Sequence, residues 1–286
     1  MKQLIILLIT TMCCSYIFAQ DEDTRTRGTF KSTRVINTHS VETLQKNKLD
    51  IRIGHRFGDL TGNAGGWATF YGLESAADVL IGLQYGVLDR LTVGLTRTKG
   101  AGPHTAIING QIKYRLLWQD ESMPVSLTLL AGTGFSTMQA SSSDRVLNHF
   151  EKYAHRFSYV YQAHIARKFG DRFSLQISPS YIHRNITDFE VENDIFSLGI
   201  ATRIQLSKVY ALLIDATYPF STQHSDGDYT LPIGFGLEID TGGHVFQINL
   251  TNARGMAETD YIPYTRSRWE DGQFRLGFTI SRLFNL

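Results

Sequence analysis

The chain has almost no cysteine and almost no excess charge. Its 286 residues include two cysteines, Cys13 and Cys14, and the formal net charge is +1. Both cysteines fall in the N-terminal leader, so the exported chain would form no disulfide, bind no metal through thiolates and attach no haem through Cys-x-x-Cys-His. The balanced charge argues against a nucleic-acid or other polyanion-binding surface. Beyond the leader no apolar run approaches the roughly 20 residues of a transmembrane helix, so a membrane location would require strands.

The first residues have the pattern of a secretory signal peptide. Lys2 precedes an apolar run over residues 4–9, and Ala19 is followed closely by an acidic cluster, residues 21–23. This pattern predicts a signal peptide over residues 1–19. A membrane anchor is an alternative, although the apolar stretch is short for one. A lipoprotein is another, although no convincing lipobox precedes the two adjacent cysteines.

From residue 48 the sequence alternates with a period of two, and turn signals divide it into twelve segments. In "KLDIRIGHRF", Asp50 and Arg52 lie on one parity and the aliphatic residues mostly on the other. In "AIINGQIKYRLL", Lys113 and Arg115 share a parity of an otherwise apolar-alternating strand. Cations at such positions are costly in lipid and stable facing water. The pattern therefore predicts strands with one apolar face and one wet face.

The connections between the predicted strands alternate in length. Short turns follow the even-numbered segments and mostly longer loops follow the odd-numbered ones, as in outer-membrane barrels. We therefore predict an all-β fold over residues 48–286, a closed antiparallel up-and-down transmembrane β-barrel of about 12 strands. The last segment, "QFRLGFTISRLFNL", would pair with the first, because lipid cannot satisfy an open sheet edge. A soluble periplasmic all-β protein is the alternative, but nothing would then confine its tight turns to one edge.

Two features of the sequence fit a regular barrel less well. Pro179 and Pro232 lie within predicted strands, where a missing N–H donor predicts a bulge or a strand end. Residues 20–47 precede the barrel and leave three alternatives open: a periplasmic segment, an extra strand or a plug inserted into the barrel.

The aromatic residues predict two interfacial girdles. One set lies close to the short turns or the end of the chain, and the other lies near the longer loops. The first set is Tyr85, Trp118, Phe173, Tyr210 and Phe284, and the second is Tyr181, Tyr218, Phe220 and Tyr229.

Several stretches resemble an uncharacterised family of outer-membrane β-barrel proteins of Gram-negative bacteria, a domain of unknown function. They are residues 35–59, 72–98, 112–119 and 123–132, and the most specific parts are His-Arg-Phe-Gly at 55–58 and Tyr-Gly-x-x-Asp-Arg-Leu-Thr-Val-Gly at 85–94. The resemblance covers essentially the whole mature chain. It implies the barrel fold and an outer-membrane location, and it implies no established activity.

The sequence suggests a narrow pore for small solutes or ions as one function. A barrel of about twelve strands has a bore between the packed interior of eight strands and the open channel of sixteen to eighteen. The alternative is that the charges pair across the lumen and fill it, leaving a non-conducting structural or binding barrel that uses loops 58–76, 136–155 and 253–272. The candidate lumen lining is Asp50, Arg52, Arg56, Lys113, Arg115, Gln162, His164, Arg203, Asp215, Glu238 and Arg275.

We expect no enzymatic activity, cofactor or metal, because no spacing singles out a nucleophile with a histidine and the loop "HSDGDY" lacks the calcium-loop pattern. The expected partners are outer-membrane lipid and the outer-membrane insertion machinery. The end of the chain resembles the C-terminal signal that this machinery recognises, in which a terminal aromatic follows alternating hydrophobic residues. Phe284 would be that aromatic, although Asn285 and Leu286 follow it. A protein partner is not indicated.

Overall fold

The computed structural model describes residues 25–188, 191–227 and 229–286, and the predicted signal peptide lies outside them. Within the described residues the fold is built from twelve strands. They are β1 (Lys48–Phe57), β2 (Ala76–Leu88), β3 (Leu91–Thr98), β4 (Ile107–Leu117), β5 (Ser126–Ser136), β6 (Phe157–Phe169), β7 (Phe173–Arg184), β8 (Asp194–Gln205), β9 (Tyr210–Phe220), β10 (Ile233–Asp240), β11 (His244–Thr251) and β12 (Arg275–Asn285).

Each strand pairs antiparallel with its neighbours in chain order, and the sheet closes on itself. The seam joins β1 to β12 in a register that runs from Lys48 opposite Asn285 to Arg56 opposite Gly277. Closure satisfies the backbone groups that an open edge would leave without partners in lipid. The predicted closed antiparallel barrel of about 12 strands is therefore confirmed.

The alternation of side chains explains why these segments form the wall. Ile81 and Leu95 point outward and are 55% and 57% exposed, whereas Lys113 and Arg115 point inward and are almost completely buried. Successive side chains of a strand lie on opposite faces, so one largely apolar parity covers most of the outer surface. That surface suits contact with lipid, and the polar parity faces the lumen.

The two rims of the barrel differ. Among the described residues, the rim at which β1 begins and β12 ends carries the strand connections 89–90, 118–125, 170–172, 206–209 and 241–243, and we call it the turn rim. The opposite rim, the loop rim, carries the connections 58–75, 99–106, 137–156, 185–193, 221–232 and 252–274. This is the asymmetry that the sequence predicts.

The two prolines behave differently. Pro232 immediately precedes β10, so it marks a strand end as predicted. Pro179 lies inside β7 opposite Leu198 of β8, with no register shift on that side. On the β6 side the pairing passes from Gln162 opposite Ser180 to Ile165 opposite Ile177 in the same register. The bulge or strand end predicted at Pro179 is wrong, because the strand continues through it and the ladder omits bonds there without inserting a residue.

The aromatic prediction is wrong for two residues, Trp118 and Tyr229, which are only 7% and 6% exposed. The Trp118 ring turns inward at the turn rim, where the guanidinium carbons of Arg90 and Arg115 lie 4.3 and 5.3 Å from its centroid. Tyr218, by contrast, points outward and is 52% exposed. Cation–π attraction gives an indole a stable place beside buried guanidiniums, so a tryptophan near a turn need not face lipid.

Two short α-helices lie in the connections of the loop rim, Thr222–Ser225 and Glu258–Tyr264. In the part of the chain that the structure describes, no helix has the length and apolar character required to cross a membrane.

Candidate functional site: an occupied barrel lumen

Residues 28–47 run inside the barrel and form what we call the luminal hairpin. The chain enters at the turn rim, where the Thr26 N–H donates to the Gln119 carbonyl over 2.7 Å. It reverses between Arg34 and His39, which form an isolated antiparallel bridge. It returns to the turn rim, where the Leu286 N–H donates to the Asn47 carbonyl over 2.9 Å. Most of the hairpin is buried.

Asp215 of β9 holds the reversal of the hairpin. Its carboxylate accepts the backbone N–H groups of Ile36, Asn37 and Thr38 at 3.2, 2.6 and 3.1 Å. It also accepts the Asn37 side-chain amide at 2.7 Å. Successive N–H groups that converge on one anion form a backbone nest. The wall therefore recognises the shape of the hairpin backbone at this point.

Lys113 and Arg115 of β4 bind backbone carbonyl groups of the hairpin. The Lys113 ammonium donates to the carbonyls of Ser40 and Glu42 at 2.7 and 2.6 Å. The Arg115 guanidinium donates to the Val41 carbonyl at 2.8 Å and to the Glu42 carboxylate at 2.9 Å. The two cations that the sequence assigns to the lumen thus bind the returning arm of the hairpin.

Further wall residues contact the hairpin from other strands. Gln176 of β7 accepts the Val41 N–H at 2.6 Å and donates to the His39 carbonyl at 2.8 Å. Arg52 donates to the Ser32 hydroxyl, Thr128 to the Val41 carbonyl and Gln247 to the Arg34 carbonyl. The Thr92 hydroxyl accepts the Leu44 N–H. The contacts therefore come from strands all around the barrel.

A second segment enters the lumen from the loop rim. It belongs to the β11–β12 connection, residues 252–274, which we call the inward loop, and it contains the buried helix Glu258–Tyr264. Asp260 accepts the N–H groups of Ala101 and Gly102 at 2.8 and 2.7 Å. Asp78 of β2 accepts the Met256 N–H at 2.8 Å. These carboxylates fix the inward loop to the wall and to the 99–106 connection.

The two segments meet inside the barrel at Arg34. Its guanidinium lies 2.9 Å from a carboxylate oxygen of Glu258 and donates to the Met256 carbonyl at 2.9 Å. Arg56 of β1 joins the segments as well, because it donates to the Asn37 side-chain oxygen at 2.6 Å and to the Gly255 carbonyl. A chain of buried hydrogen bonds thus links hairpin, wall and inward loop.

The structure places all eleven candidate lining residues on the inner face of the wall. Ten are buried and Arg203 is partly buried. Two pairs among them come together: Arg52 lies 3.0 Å from Asp50, and Arg203 lies 2.7 Å from Glu238. Gln162 donates to Ser180, His164 contacts Ser178, and Arg275 donates to the Asn252 carbonyl.

Sequence reasoning missed the partners of these residues. Arg34, Asn37 and Glu42 lie in the hairpin, and Glu258 and Asp260 lie in the inward loop, which was expected to face outward. In these four contacts the two residues are more than 70 positions apart along the chain, and a local pattern carries no signal for contacts at that separation.

The family comparison agrees with this architecture. A family described as "Membrane bound beta barrel domain (DUF5777)" matches residues 30–284. The chain belongs to this family. The matched range includes most of the luminal hairpin as well as the wall. The predicted resemblance to a barrel family without an established activity is confirmed.

Solved structures share the fold at low sequence identity. An outer-membrane channel from Pseudomonas putida F1 is 14% identical with a TM-score of 0.54, and the alignment covers 85% of this chain and 98% of that one. The NanC porin is 10% identical with a TM-score of 0.50, covering 83% and 100%. The KdgM porin is 8% identical with a TM-score of 0.50, covering 83% and 99%. No curated protein matches the chain. At these identities the likeness shows the fold, that of outer-membrane porins and channels.

Little space remains between the two segments within the lumen. Two cavities that Thr259 lines in part have volumes of about 20 Å³ each. A cavity of this size holds roughly one water molecule. Among the described residues, no group of three or more His, Cys, Asp or Glu side chains could hold a metal ion. Between the two segments the lumen therefore has room for water and none for a solute. A larger pocket of about 360 Å³ remains near the turn rim between the hairpin and the wall, and its lining includes Asp50, Arg52 and Arg115.

Proposed function

We propose that this protein is an outer-membrane channel that the luminal hairpin keeps closed as a plug. The observation that carries the proposal is the polarity of the contact between hairpin and wall. Asp215, Lys113 and Gln176 bind the backbone of the hairpin through hydrogen bonds. A barrel that only needed a solid interior could fill it with apolar side chains, without the desolvation cost of buried charges.

The same wall would be a suitable lining once the hairpin has left. Of the eleven candidate residues, six are cations and three are carboxylates, so their formal charges sum to 6 − 3 = +3. Water can solvate all of them, whereas an apolar lining would resist wetting. A twelve-stranded barrel has a bore between the packed interior of eight strands and the open channel of sixteen. We therefore assign a small anionic solute as the preferred cargo.

The connectivity allows the hairpin to leave without disturbing the barrel. Thr26 and Asn47, at its two ends, both lie at the turn rim, and β1 begins only at Lys48. In the proposed orientation the turn rim faces the periplasm, to which the signal peptide delivers the chain, and the insertion machinery then places the barrel in the outer membrane. The hairpin would withdraw toward the periplasm as one unit.

The test is single-channel conductance in a planar bilayer. The full mature chain should be silent or open only rarely, and a variant that lacks residues 28–44 should give discrete steps. Heat-modifiable gel migration shows that each barrel has folded. A synthetic peptide of residues 28–44, added on the turn-rim side, should close the deleted variant, whereas a scrambled peptide should not.

A folded, inserted deletion variant that stays silent would overturn the channel proposal. It would favour the second candidate, a non-conducting barrel that binds through its loops. One observation favours that candidate: Trp67, Phe70 and Tyr71 cluster on the 58–75 connection and are 75%, 50% and 44% exposed. Contiguous exposed aromatic surface of this kind is common at interaction sites.

A further inference from the structure

The wall of the barrel has a notch between β9 and β10 at the loop rim. β9 continues to Phe220, and its residues near the loop rim pair with β8 as far as Phe196 opposite Phe220. β10 begins at Ile233, opposite Ala216 of β9. Of the described chain, no strand therefore pairs with the last four residues of β9 on the β10 side.

Two prolines keep this notch open. The Thr217 N–H donates to the Pro232 carbonyl at 3.0 Å, so the N–H groups of alternate β9 residues point toward β10. Two residues further on, Pro219 points the same way and has no N–H to donate. Pro232 also lacks a donor on the facing segment. A ladder between the two strands cannot extend past these positions.

The notch is held in shape by one side chain. The Asn252 amide oxygen accepts the Ile233 N–H at 2.7 Å, and its NH₂ group donates to the carbonyls of Leu231 and Ser267 at 3.0 and 2.9 Å. Asn252 is itself 1% exposed. These bonds tie the segment that leads into β10 to the inward loop, on the side away from β9, so this edge of the notch is fixed.

A pocket of about 380 Å³ occupies the notch. Its lining includes both Tyr218 and Pro219, which are consecutive in β9 and so lie on opposite faces of the wall. Tyr218 faces the lipid side and is 52% exposed, whereas Pro219 is buried on the lumen side. The pocket therefore passes over the free edge of β9. Leu231, Ile233 and Trp269 add apolar surface.

Two of the residues that line the pocket, His224 and Trp269, each carry a ring nitrogen without a hydrogen-bond partner among the described residues. The indole nitrogen of Trp269 and the Nε2 atom of His224 are buried, and neither has a hydrogen-bond partner in the described structure. His224 Nδ1 lies 2.6 Å from the Ser221 hydroxyl, so Nε2 is the ring nitrogen that has no partner in the described chain. Arg268 lines the same pocket, with Glu270 at 3.9 Å as a largely exposed counter-ion. Buried donors of this kind normally meet an acceptor.

We propose that the notch binds a single-chain amphiphile with a carboxylate head, taken from the outer leaflet of the membrane. The head accepts hydrogen bonds from Trp269 and His224 and lies beside Arg268. The hydrocarbon chain lies over Tyr218 and extends along the lipid-facing wall. The pocket has the size of ordinary small-molecule sites and combines apolar walls with a few convergent polar groups, as such sites do. This site does not depend on whether the hairpin opens.

The test is native mass spectrometry of the full mature protein released from detergent, with dodecanoate as the probe. We expect one dodecanoate per barrel. Trp269→Phe keeps an aromatic ring and removes the N–H donor, and Arg268→Gln removes the positive charge. Each variant should weaken dodecanoate binding roughly tenfold, the usual effect of losing one hydrogen bond to a charged group. Trp118→Phe, at the opposite rim of the barrel, is the matched control and should bind like the unchanged protein.

Dodecyltrimethylammonium, which has the same chain and a cationic head, should not be retained. Equal retention of both amphiphiles, or equal retention of dodecanoate by all the variants, would overturn the proposal, because either result describes adsorption to the outer wall in general. Absence of any bound dodecanoate would overturn it too. Heat-modifiable migration of each variant separates these outcomes from loss of folding.

Discussion

Arg34 and Glu258 form an ion pair at 2.9 Å although 224 residues separate them in the chain. Arg34 lies in the luminal hairpin and Glu258 in the inward loop, and both side chains are almost completely buried. The pair therefore joins the segment that enters from the turn rim to the segment that enters from the loop rim. If the hairpin is a plug, this contact is part of what keeps it in place.

Breaking this ion pair should loosen the hairpin. Arg34→Met leaves the Glu258 carboxylate buried without its cation, and removing one partner of a buried pair costs about 3–5 kcal/mol. We expect more frequent channel openings and faster proteolysis of the hairpin from the turn-rim side. The control is Lys31→Met, because Lys31 forms a more exposed pair with Asp240, whose loss should cost roughly 1 kcal/mol or less. Equal behaviour of the two variants would contradict a role for the buried pair in closure.

Replacing Asp215 should release the reversal of the hairpin. In Asp215→Asn the negative charge is lost, and the NH₂ group that replaces one oxygen cannot accept the Asn37 side-chain amide while the remaining oxygen accepts the N–H groups of residues 36–38. We expect hydrogen exchange of these amides to accelerate by roughly tenfold or more, in keeping with the loss of charged hydrogen bonds. Glu238→Gln, which alters a wall carboxylate paired with Arg203, should leave these amides nearly unchanged. Unaltered exchange in Asp215→Asn would show that the nest does not hold the hairpin.

The charge of the lining should set ion preference in the channel that lacks residues 28–44. Lys113→Ala together with Arg115→Ala removes two cations from β4, so the reversal potential in a salt gradient should shift toward cation preference. Glu238→Ala removes an anion and should shift the potential in the opposite direction. Conductance steps that none of these changes affects would mean that ions pass elsewhere than along the proposed lining.

Docking of the inward loop should depend on pH through Asp260. Burial, and then the neighbouring charge of Asp78, raises the pKa of Asp260 to about 7. An undocked loop would return this carboxyl to its ordinary range near pH 4. Because the carboxyl has the higher pKa in the docked loop, docking is most favourable below about pH 4 and weakens as the pH rises through about 7.

The pH effect can be measured by comparing hydrogen exchange of residues 255–262 in the unchanged protein and in Asp260→Asn. The asparagine keeps an oxygen that can accept the Ala101 N–H and does not ionise. The ratio of the exchange rates in the two proteins should therefore change between about pH 5 and pH 8. Taking this ratio also removes the intrinsic pH dependence of exchange. A constant ratio would contradict the raised pKa.

The wall of this protein could be predicted from the sequence because its signal is local. Side chains alternate along a strand with a period of two, so the placement of Lys113 and Arg115 on one face follows from their own segment. The strand end at Pro232 also follows from one residue, because proline lacks the donor that a ladder needs. Closure follows in turn from the inability of lipid to satisfy a free edge.

The contents of the lumen were decided only by the tertiary structure. Residues 20–47 left several structures possible, and Glu258 reads in the sequence as part of an outer loop. Trp118 and Tyr229 read as girdle aromatics, yet each turns away from lipid. The reason is the same in every case: these side chains are placed by partners that the closed barrel brings near from distant positions in the chain. A period of two determines which way a residue points from the wall, but only the folded barrel determines what it meets there.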